Sequence, residues 1–391
     1  MNRLIILLAL SFNHTASLAD EWKLHTIDDG SRGADGVRLG DFDQDGQLDI
    51  VTGWEEGGQI RICFQPNGTE NQTQRIRSQW PTVTIGKVSS PEDAMAVDVN
   101  GDGWLDVVSC CEGKTKNVFV HLNPGSAKSV ASASAWRTKP LLGAAGVTRW
   151  MYCCSVDENL LVFGSKEPAG QITLCDLSQQ KPRWQKLRNC DWVMSLEAVD
   201  FDQDGDRDIL YSDRKGANRQ VGWLQNPGNT DGPWIDRLIG GDDREVMFLD
   251  ILKQTNSSNT KAGLFTVACQ TKDGGLLLLE ASTDGKRPWQ QTELPKPMGT
   301  GSGKGVSWGD IDLDGQPDLV CSCEHAGDKV GVYWMQRKDS GWQFRDISGN
   351  QSGTKFDQIA LLDLDGDGDL DVITCEERNN LGVIWYENPE R

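Results

Sequence analysis

Residues 363–371 read Asp-Leu-Asp-Gly-Asp-Gly-Asp-Leu-Asp, with carboxylates at positions 1, 3, 5 and 9 of nine. Position 6 is Gly368, whose missing Cβ permits the sharp turn such a segment needs. Folded into that turn, Asp363, Asp365, Asp367 and Asp371 converge on one point. Four carboxylates within a few Å repel one another strongly unless a hard, oxygen-seeking divalent cation sits among them. Calcium is the cation this donor set predicts.

The pattern recurs at Asp41, Asp43, Asp45, Gly46, Asp49, at Asp200, Asp202, Asp204, Gly205, Asp208, and at Asp310, Asp312, Asp314, Gly315, Asp318. A further copy, Asp98, Asn100, Asp102, Gly103, Asp106, exchanges one carboxylate for an amide oxygen. Five loops predict about five calcium ions. An EF-hand also opens on alternating acids and a glycine, but it needs a bidentate Glu at position 12 and a helix on each side. Here each loop runs instead into a short β-branched stretch such as Leu48-Asp49-Ile50-Val51-Thr52 or Leu370-Asp371-Val372-Ile373-Thr374, which reads as a strand.

A tryptophan opens each later unit. Trp22, Trp80, Trp136, Trp184, Trp234, Trp289 and Trp342 stand 48 to 58 residues apart. Near-equal intervals of strand pattern mark a radial or solenoid repeat, and this overrides the two or three domains that 391 residues would otherwise suggest. Each unit carries a strand into the acidic loop, a strand out of it, a third strand, and in several units an Asn-Pro turn before the next tryptophan. Four strands per unit make a propeller blade, so the expectation is an all-β, seven-bladed β-propeller spanning residues 20–391. The chain ends three strands into its last unit. Residues 22–27 therefore supply the missing outer strand of the C-terminal blade, closing the ring and removing an exposed edge. The third unit keeps only Asp157 near the loop position, and the fifth keeps Asp250 followed by an insertion at 254–261, so neither should hold metal.

Residues 1–19 read as a secretory signal: Arg3, an apolar run from Leu4 to Leu10, then Ala16-Ser17-Leu18-Ala19 with small residues placed for cleavage. No other run approaches the roughly 18 apolar residues of a membrane span. The expectation is an exported protein, periplasmic or extracellular, with no transmembrane segment. The formal net charge of -19 for the full chain argues against nucleic acid and anionic lipid as partners. Eleven cysteines form no metal-finger spacing, and Cys111, Cys323 and Cys375 recur at one repeat position, which suits small buried hydrophobes. A disulfide remains the alternative, and oligomeric state is not legible.

In its acidic loops, each followed by a short strand, the chain resembles the FG-GAP/VCBS repeat family, whose propeller also forms the head of integrin α subunits. The resemblance covers residues 20–391. It implies a seven-bladed ring with calcium on one face, and it implies that the loop residues named above are the ligands, with Asn100 a tolerated variant. It does not imply a biological role, because one fold hosts adhesion domains, lectins and enzyme-associated domains.

If the acidic loops occupy one face, the starts of the inner strands and the ends of the second strands occupy the other. Counting back from the loops places Asp35, Glu92, Met194, Arg244, Lys304 and Asp357 there, with Asp93, Glu245 and Gln358 one residue on and Trp150 and Trp192 nearby. Counting forward adds Glu55, Glu112, Arg214, Glu324 and Glu377. Carboxylates, cations and two indoles at one mouth suit a glycan, whose rings stack on aromatic faces while its hydroxyls take hydrogen bonds. Asp35, Glu92, Asp93, Trp150, Trp192, Arg244, Glu245, Lys304 and Asp357 are thus the candidate ligand-binding residues. The primary expectation is a binding scaffold for a glycan or protein ligand. A carbohydrate-active enzyme of lyase or dehydratase type is the alternative, and it would need two of these acids held near one another with separated pKa values. The chain shows no nucleophile elbow or zincin motif.

Overall fold

The seven units each fold into antiparallel strands, in a computed structural model that describes residues 21–67, 72–228, 232–253, 265–280, 289–339, 341–349 and 353–389, with backbone only at 72 and 73. The expected signal at 1–19 and the insertion at 254–261 lie outside the described residues. The inner strands are Ala34–Gly40, Pro91–Val97, Arg149–Asp157, Val193–Val199, Val246–Lys253, Ser302–Gly309 and Gly353–Leu362. They neighbour one another in cyclic order, the last beside the first, around a narrow central channel. The fold is an all-β propeller.

Among the described residues there are five four-stranded sheets and one eight-stranded sheet. The larger sheet arises because Asp318–Gly327 pairs within its own unit and also, through Glu324 with Lys355 and Gly327 with Gly353, with the inner strand Gly353–Leu362. Its outer edge is completed from the other end of the chain. Lys23–Asp28 lies antiparallel to Gly382–Glu387, with Leu24 opposite Tyr386, His25 opposite Trp385 and Thr26 opposite Ile384.

Each strand presents alternate residues to its two faces, so every sheet buries one face against each neighbour, and the apolar interior divides into layers between sheets. The repeat tryptophans distribute over these layers one apiece. Trp80, Trp136 and Trp22 sit buried in three of them. Trp184, Trp289, Trp234 and Trp342 pack, partly buried, against four others. Full burial of an indole removes about 150–250 Å² from water, worth at most about 4–6 kcal/mol at roughly 25 cal/mol per Å². One such anchor per layer explains why tryptophan is the residue that keeps the repeat's phase.

All eleven cysteines are buried free thiols, as their recurrence at a packing position suggests. Burial pushes Cys111, Cys175, Cys269 and Cys323 up to about 12, far from the thiolate range. His121 is buried too, hydrogen-bonded to Ser109 and Thr138 and pushed down to about 3 by desolvation, so it packs as a neutral imidazole. No helix among the described residues is long and apolar enough to cross a membrane.

Candidate metal loops and channel mouth

Each acidic loop is held by its own backbone before any ligand is considered. The first aspartate accepts the N–H of the glycine five residues on: Gly46 to Asp41 at 3.1 Å, Gly103 to Asp98 at 2.8 Å, Gly205 to Asp200 at 3.2 Å, Gly315 to Asp310 at 2.9 Å and Gly368 to Asp363 at 3.1 Å. That bond requires a left-handed glycine, and φ runs from +82° to +102° at these five positions.

The aspartates do not all play one role. Asp41, Asp43 and Asp45 bring one oxygen each within 4.8 Å of the others, as do Asp200, Asp202 and Asp204, and Asp310, Asp312 and Asp318. The position-nine carboxylate, named above among the ligands, is in every loop also a backbone pin, and Asp318 makes those bonds while standing with Asp310 and Asp312. Asp49 accepts from Phe42 N at 3.0 Å and Gln65 N at 2.9 Å. Asp106 takes Val99 N and Asn123 N, Asp208 takes Phe201 N and Asn226 N, Asp318 takes Ile311 N and Arg337 N, and Asp371 takes Leu364 N and Asn388 N. Each pin ties the loop to the end of its sheet's third strand. Their burial pushes Asp49 and Asp208 up to about 7 and Asp371 to about 8, although the backbone donors pull the other way.

A cation fits the residues present. Buried oxygens of Asp200, Asp310, Asp312 and Asp365 have no hydrogen-bond partner. Burial and then neighbouring carboxylates raise Asp43, Asp202 and Asp365, which marks a site short of positive charge. Two loops receive protein cations: Lys338 reaches Asp312 at 2.6 Å, and Arg77 reaches Asp365 at 2.8 Å. In the third unit the loop is replaced by a two-residue hairpin, Asp157 pairing directly with Leu160.

At the opposite face the far end of every second strand carries a charge: Glu55, Glu112, Lys166, Arg214, Lys272, Glu324 and Glu377. The ring has two poles, basic where Lys166, Arg214 and Lys272 are consecutive and acidic elsewhere. The poles meet in ion pairs, Lys166 with Glu112 and Lys272 with Glu324, and Lys355 pairs with Glu377 inside the acidic arc. Just inside, Lys304 Nζ lies 3.0 Å from Asp357 Oδ2, both side chains buried. Asp35 and Asp357 bring carboxylate oxygens within 4.8 Å of each other. Burial, then the Asp357 charge, pushes Asp35 well up; against burial, Lys304 and Lys355 hold Asp357 below the usual carboxylate range. Burial also raises Glu92, with Lys166 opposing. The basic side of the mouth is floored by an apolar cluster of Met151, Tyr152, Met194, Met247 and Phe248, with Tyr152 and Phe248 edge to face at 5.3 Å and Lys304 Nζ 5.4 Å over the Phe248 ring.

The mouth therefore gathers Asp35, Glu92, Lys304 and Asp357, sets Trp192 and Glu245 against its basic arc, and leaves Trp150, Arg244 and Asp93 elsewhere. Trp150 is 1% exposed within the layer between the second and third sheets, its Nε1 bonded to Ala144 O, so it offers no face to a ligand. The strand start it occupies turns its side chain inward. Trp192 is half-buried beneath three cations, Lys166 at 4.4 Å, Lys215 at 4.5 Å and Arg214 at 4.6 Å from the ring centroid, so its exposed role is cation anchoring. Arg244 points outward to Asp243 and to Glu293 on an outer strand, each 2.7 to 2.8 Å away. Glu245 pairs with Arg214 at 3.2 Å. Asp93 is buried in a fork of Arg38 Nε and Nη2 at 3.0 and 3.2 Å and also accepts Cys153 N, which ties three sheets together. Sequence phase missed Lys166 and Lys272, because the third and fifth units lack the loop from which the count was made; it missed Lys355, two residues before the counted position Asp357, and Phe248, which only its neighbours define.

These features, antiparallel sheets set radially around a channel with turn-borne acids on one face and paired charges on the other, define a β-propeller with acidic loops. Residues 310–374 match the family profile of the FG-GAP-like repeat, so the chain carries an FG-GAP-like repeat there. No curated protein matches the chain. Among solved structures it is similar to the Myceliophteria thermophila Cps50 (Swd1) β-propeller domain, at 10% identity and TM-score 0.56 over 94% of this chain and 99% of that one. It is also similar to BBS1N, solved in complex with ARL6DN, at 11% identity and TM-score 0.55, over 94% and 97% of the two chains. Saccharomyces cerevisiae Sqt1 follows at 13% identity and TM-score 0.53, over 92% and 97%. At these identities the likeness is one of fold.

Proposed function

We propose that the chain is an exported, calcium-binding propeller of seven blades that serves as a binding scaffold, with its ligand seat at the channel mouth opposite the acidic loops. The eight-stranded sheet counts as two blades in this reading, one of them closed by the N-terminal strand. Calcium in the five loops stiffens one face and relieves the mutual repulsion of their carboxylates. The observation that carries the scaffold reading is the two-poled ring of charges at the mouth, carboxylates on one arc and Lys166, Arg214 and Lys272 on the other, with the half-buried Trp192 among the cations. Such a surface suits a glycan, whose ring face meets the Trp192 indole edge while hydroxyls exchange hydrogen bonds with the ring of charges. BBS1N, of the same fold, was solved with a protein partner, which keeps a protein ligand as the competing occupant.

One observation favours the enzymatic alternative. Asp35 and Asp357 are adjacent carboxyl groups whose pKa values are driven apart, beside Lys304, which is the arrangement an acid–base pair needs. Both are almost fully buried and already engaged, which is why binding is the reading preferred here.

The test is a thermal melt of the mature chain in EDTA and in millimolar calcium, followed by a glycan array on the folded form. Calcium should raise the melting temperature, and array hits should vanish with Trp192→Ala and with Lys304→Met. Absence of any calcium shift would overturn the metal assignment, and hits indifferent to both variants would move the seat away from the mouth. Turnover of an array hit that stops in Asp35→Asn would replace the scaffold by the enzyme.

A further inference from the structure

The third unit lacks more than a metal loop: it leaves a cleft. Where five of the units raise a nine-residue loop between their first two strands, this one turns in two residues, Glu158 and Asn159, with Asp157 pairing directly to Leu160. The acidic loops of its neighbours stand on either side, that of the second unit at Asp98 and that of the fourth at Gly205 and Asp206. Between them lies a cavity of about 710 Å³, within the roughly 300–1,000 Å³ typical of small-ligand pockets.

Its lining has two characters. The floor is apolar, formed by Val156, Leu160, Leu174 and the half-buried indole of Trp234. The rim is acidic, formed by Asp98, Asp157, Glu158 and Asp206 against the single lining cation Arg207. Asp157 and Glu158 are exposed at the hairpin tip, and Asp206 Oδ1 is buried with no hydrogen-bond partner. An apolar floor beside an indole, ringed by carboxylates on a chain that carries a formal charge of -19, complements a flexible apolar stem ending in a cation. We propose that this cleft is a second binding site, on the acidic-loop face, for a lysine or arginine side chain presented by a basic peptide segment. The methylene stem lies on Leu160, Leu174 and Trp234, and the ammonium or guanidinium meets Asp157, Glu158 and Asp206. This site is separate from the channel mouth, and Asp157, Glu158, Val156, Leu160 and Leu174 belong to the unit that has no acidic loop, so it is tested both with and without calcium.

The assignment is tested by methyl NMR of the mature chain, in calcium and again in EDTA, with capped Gly-Lys-Gly, Gly-Arg-Gly, Gly-norleucine-Gly and acetyl-lysine tripeptides as probes. Saturable shifts are expected at Val156, Leu160 and Leu174 with the lysine and arginine peptides, at least tenfold weaker with norleucine or acetyl-lysine, and weakened by added salt. The double variant Asp157→Lys/Glu158→Lys alters only exposed hairpin positions and should keep the wild-type melting temperature while losing affinity at least tenfold. Trp234→Ala should weaken binding about fivefold through the lost packing of the stem on the indole. Equal affinity for lysine and norleucine peptides, unchanged binding in the double variant, saturation by a neutral oligosaccharide at the same methyls, or no shifts at millimolar peptide would each overturn it.

Discussion

Lys338 Nζ stands 2.6 Å from Asp312 Oδ2 and 3.2 Å from Asp314 Oδ2, placing a protein cation at the edge of the fourth acidic loop. Burial alone would raise Asp312, yet hydrogen bonds from Lys338 and Gln336 bring it below its ordinary value. A divalent ion at that loop must displace or outcompete the ammonium. Lys338→Met should therefore tighten calcium binding at this loop by a few-fold, read as a shift of the weakest step in a calcium titration followed by calorimetry, and the gain should shrink at high salt. An unchanged titration would mean that Lys338 swings away when calcium binds.

The pin and the ligand roles within one loop separate by substitution. Asp371→Ala leaves the buried N–H groups of Leu364 and Asn388 without their acceptor, each now 2.9 Å from the carboxylate, so it should cost about 2–4 kcal/mol even in EDTA. Asp367→Ala should leave stability in EDTA unchanged or higher, because it removes a repelling charge. It should lose only the calcium-dependent increment, about 2.7 kcal/mol at a hundredfold excess over the dissociation constant. Denaturant melts of both variants with and without calcium make the comparison, and equal losses in EDTA would refute the division of roles.

The N-terminal strand acts as the clasp of the ring. Ile27 is fully buried in the layer shared by Trp54, Ile373 and Trp385, so Ile27→Ala should destabilise the fold by about 2–4 kcal/mol in urea. Deleting residues 20–28 should expose the edge of Gly382–Glu387 and produce concentration-dependent association in light scattering. A monomeric, equally stable deletion would show that the clasp is dispensable.

Glu197 on an inner strand supplies a pH dependence away from the acidic loops. Burial, opposed by Arg38 and aided by Asp250, pushes it up to about 7. A carboxyl raised on folding binds its proton more tightly in the folded state. Its contribution is thus neutral below about pH 4.5, grows destabilising between about 4.5 and 7, and is fully unfavourable above. The side chain keeps some solvent contact along the channel, which lowers the cost from the full shift to about 1–3 kcal/mol. Glu197→Gln should stabilise the protein by that amount at pH 8 and by nothing at pH 4. Equal effects at both pH values would show that the change acts through packing.

The parts of this molecule readable from the chain alone were those whose cause is local. Five acid-glycine spacings specify five turns, because the glycine φ and the first aspartate's bond to it lie within six residues. The tryptophan period specifies the repeat, because one indole anchors each layer between sheets. A missing last strand, with a spare first one, specified the closure. Contacts between units were not readable this way. Phase could place Trp150 at a strand start, but whether its indole faces solvent or the neighbouring sheet depends on a bulge between Trp150 and Tyr152. It could place Asp93 near the mouth without showing that Arg38 on one neighbouring sheet and Cys153 on the other claim it. The pairing of Lys304 with Asp357, the charge poles of the mouth and the cleft above Leu160 all join residues from different units. Local turn chemistry decides what each unit is, whereas ion pairing and cavities form between units, and only the closed ring brings those partners within reach of one another.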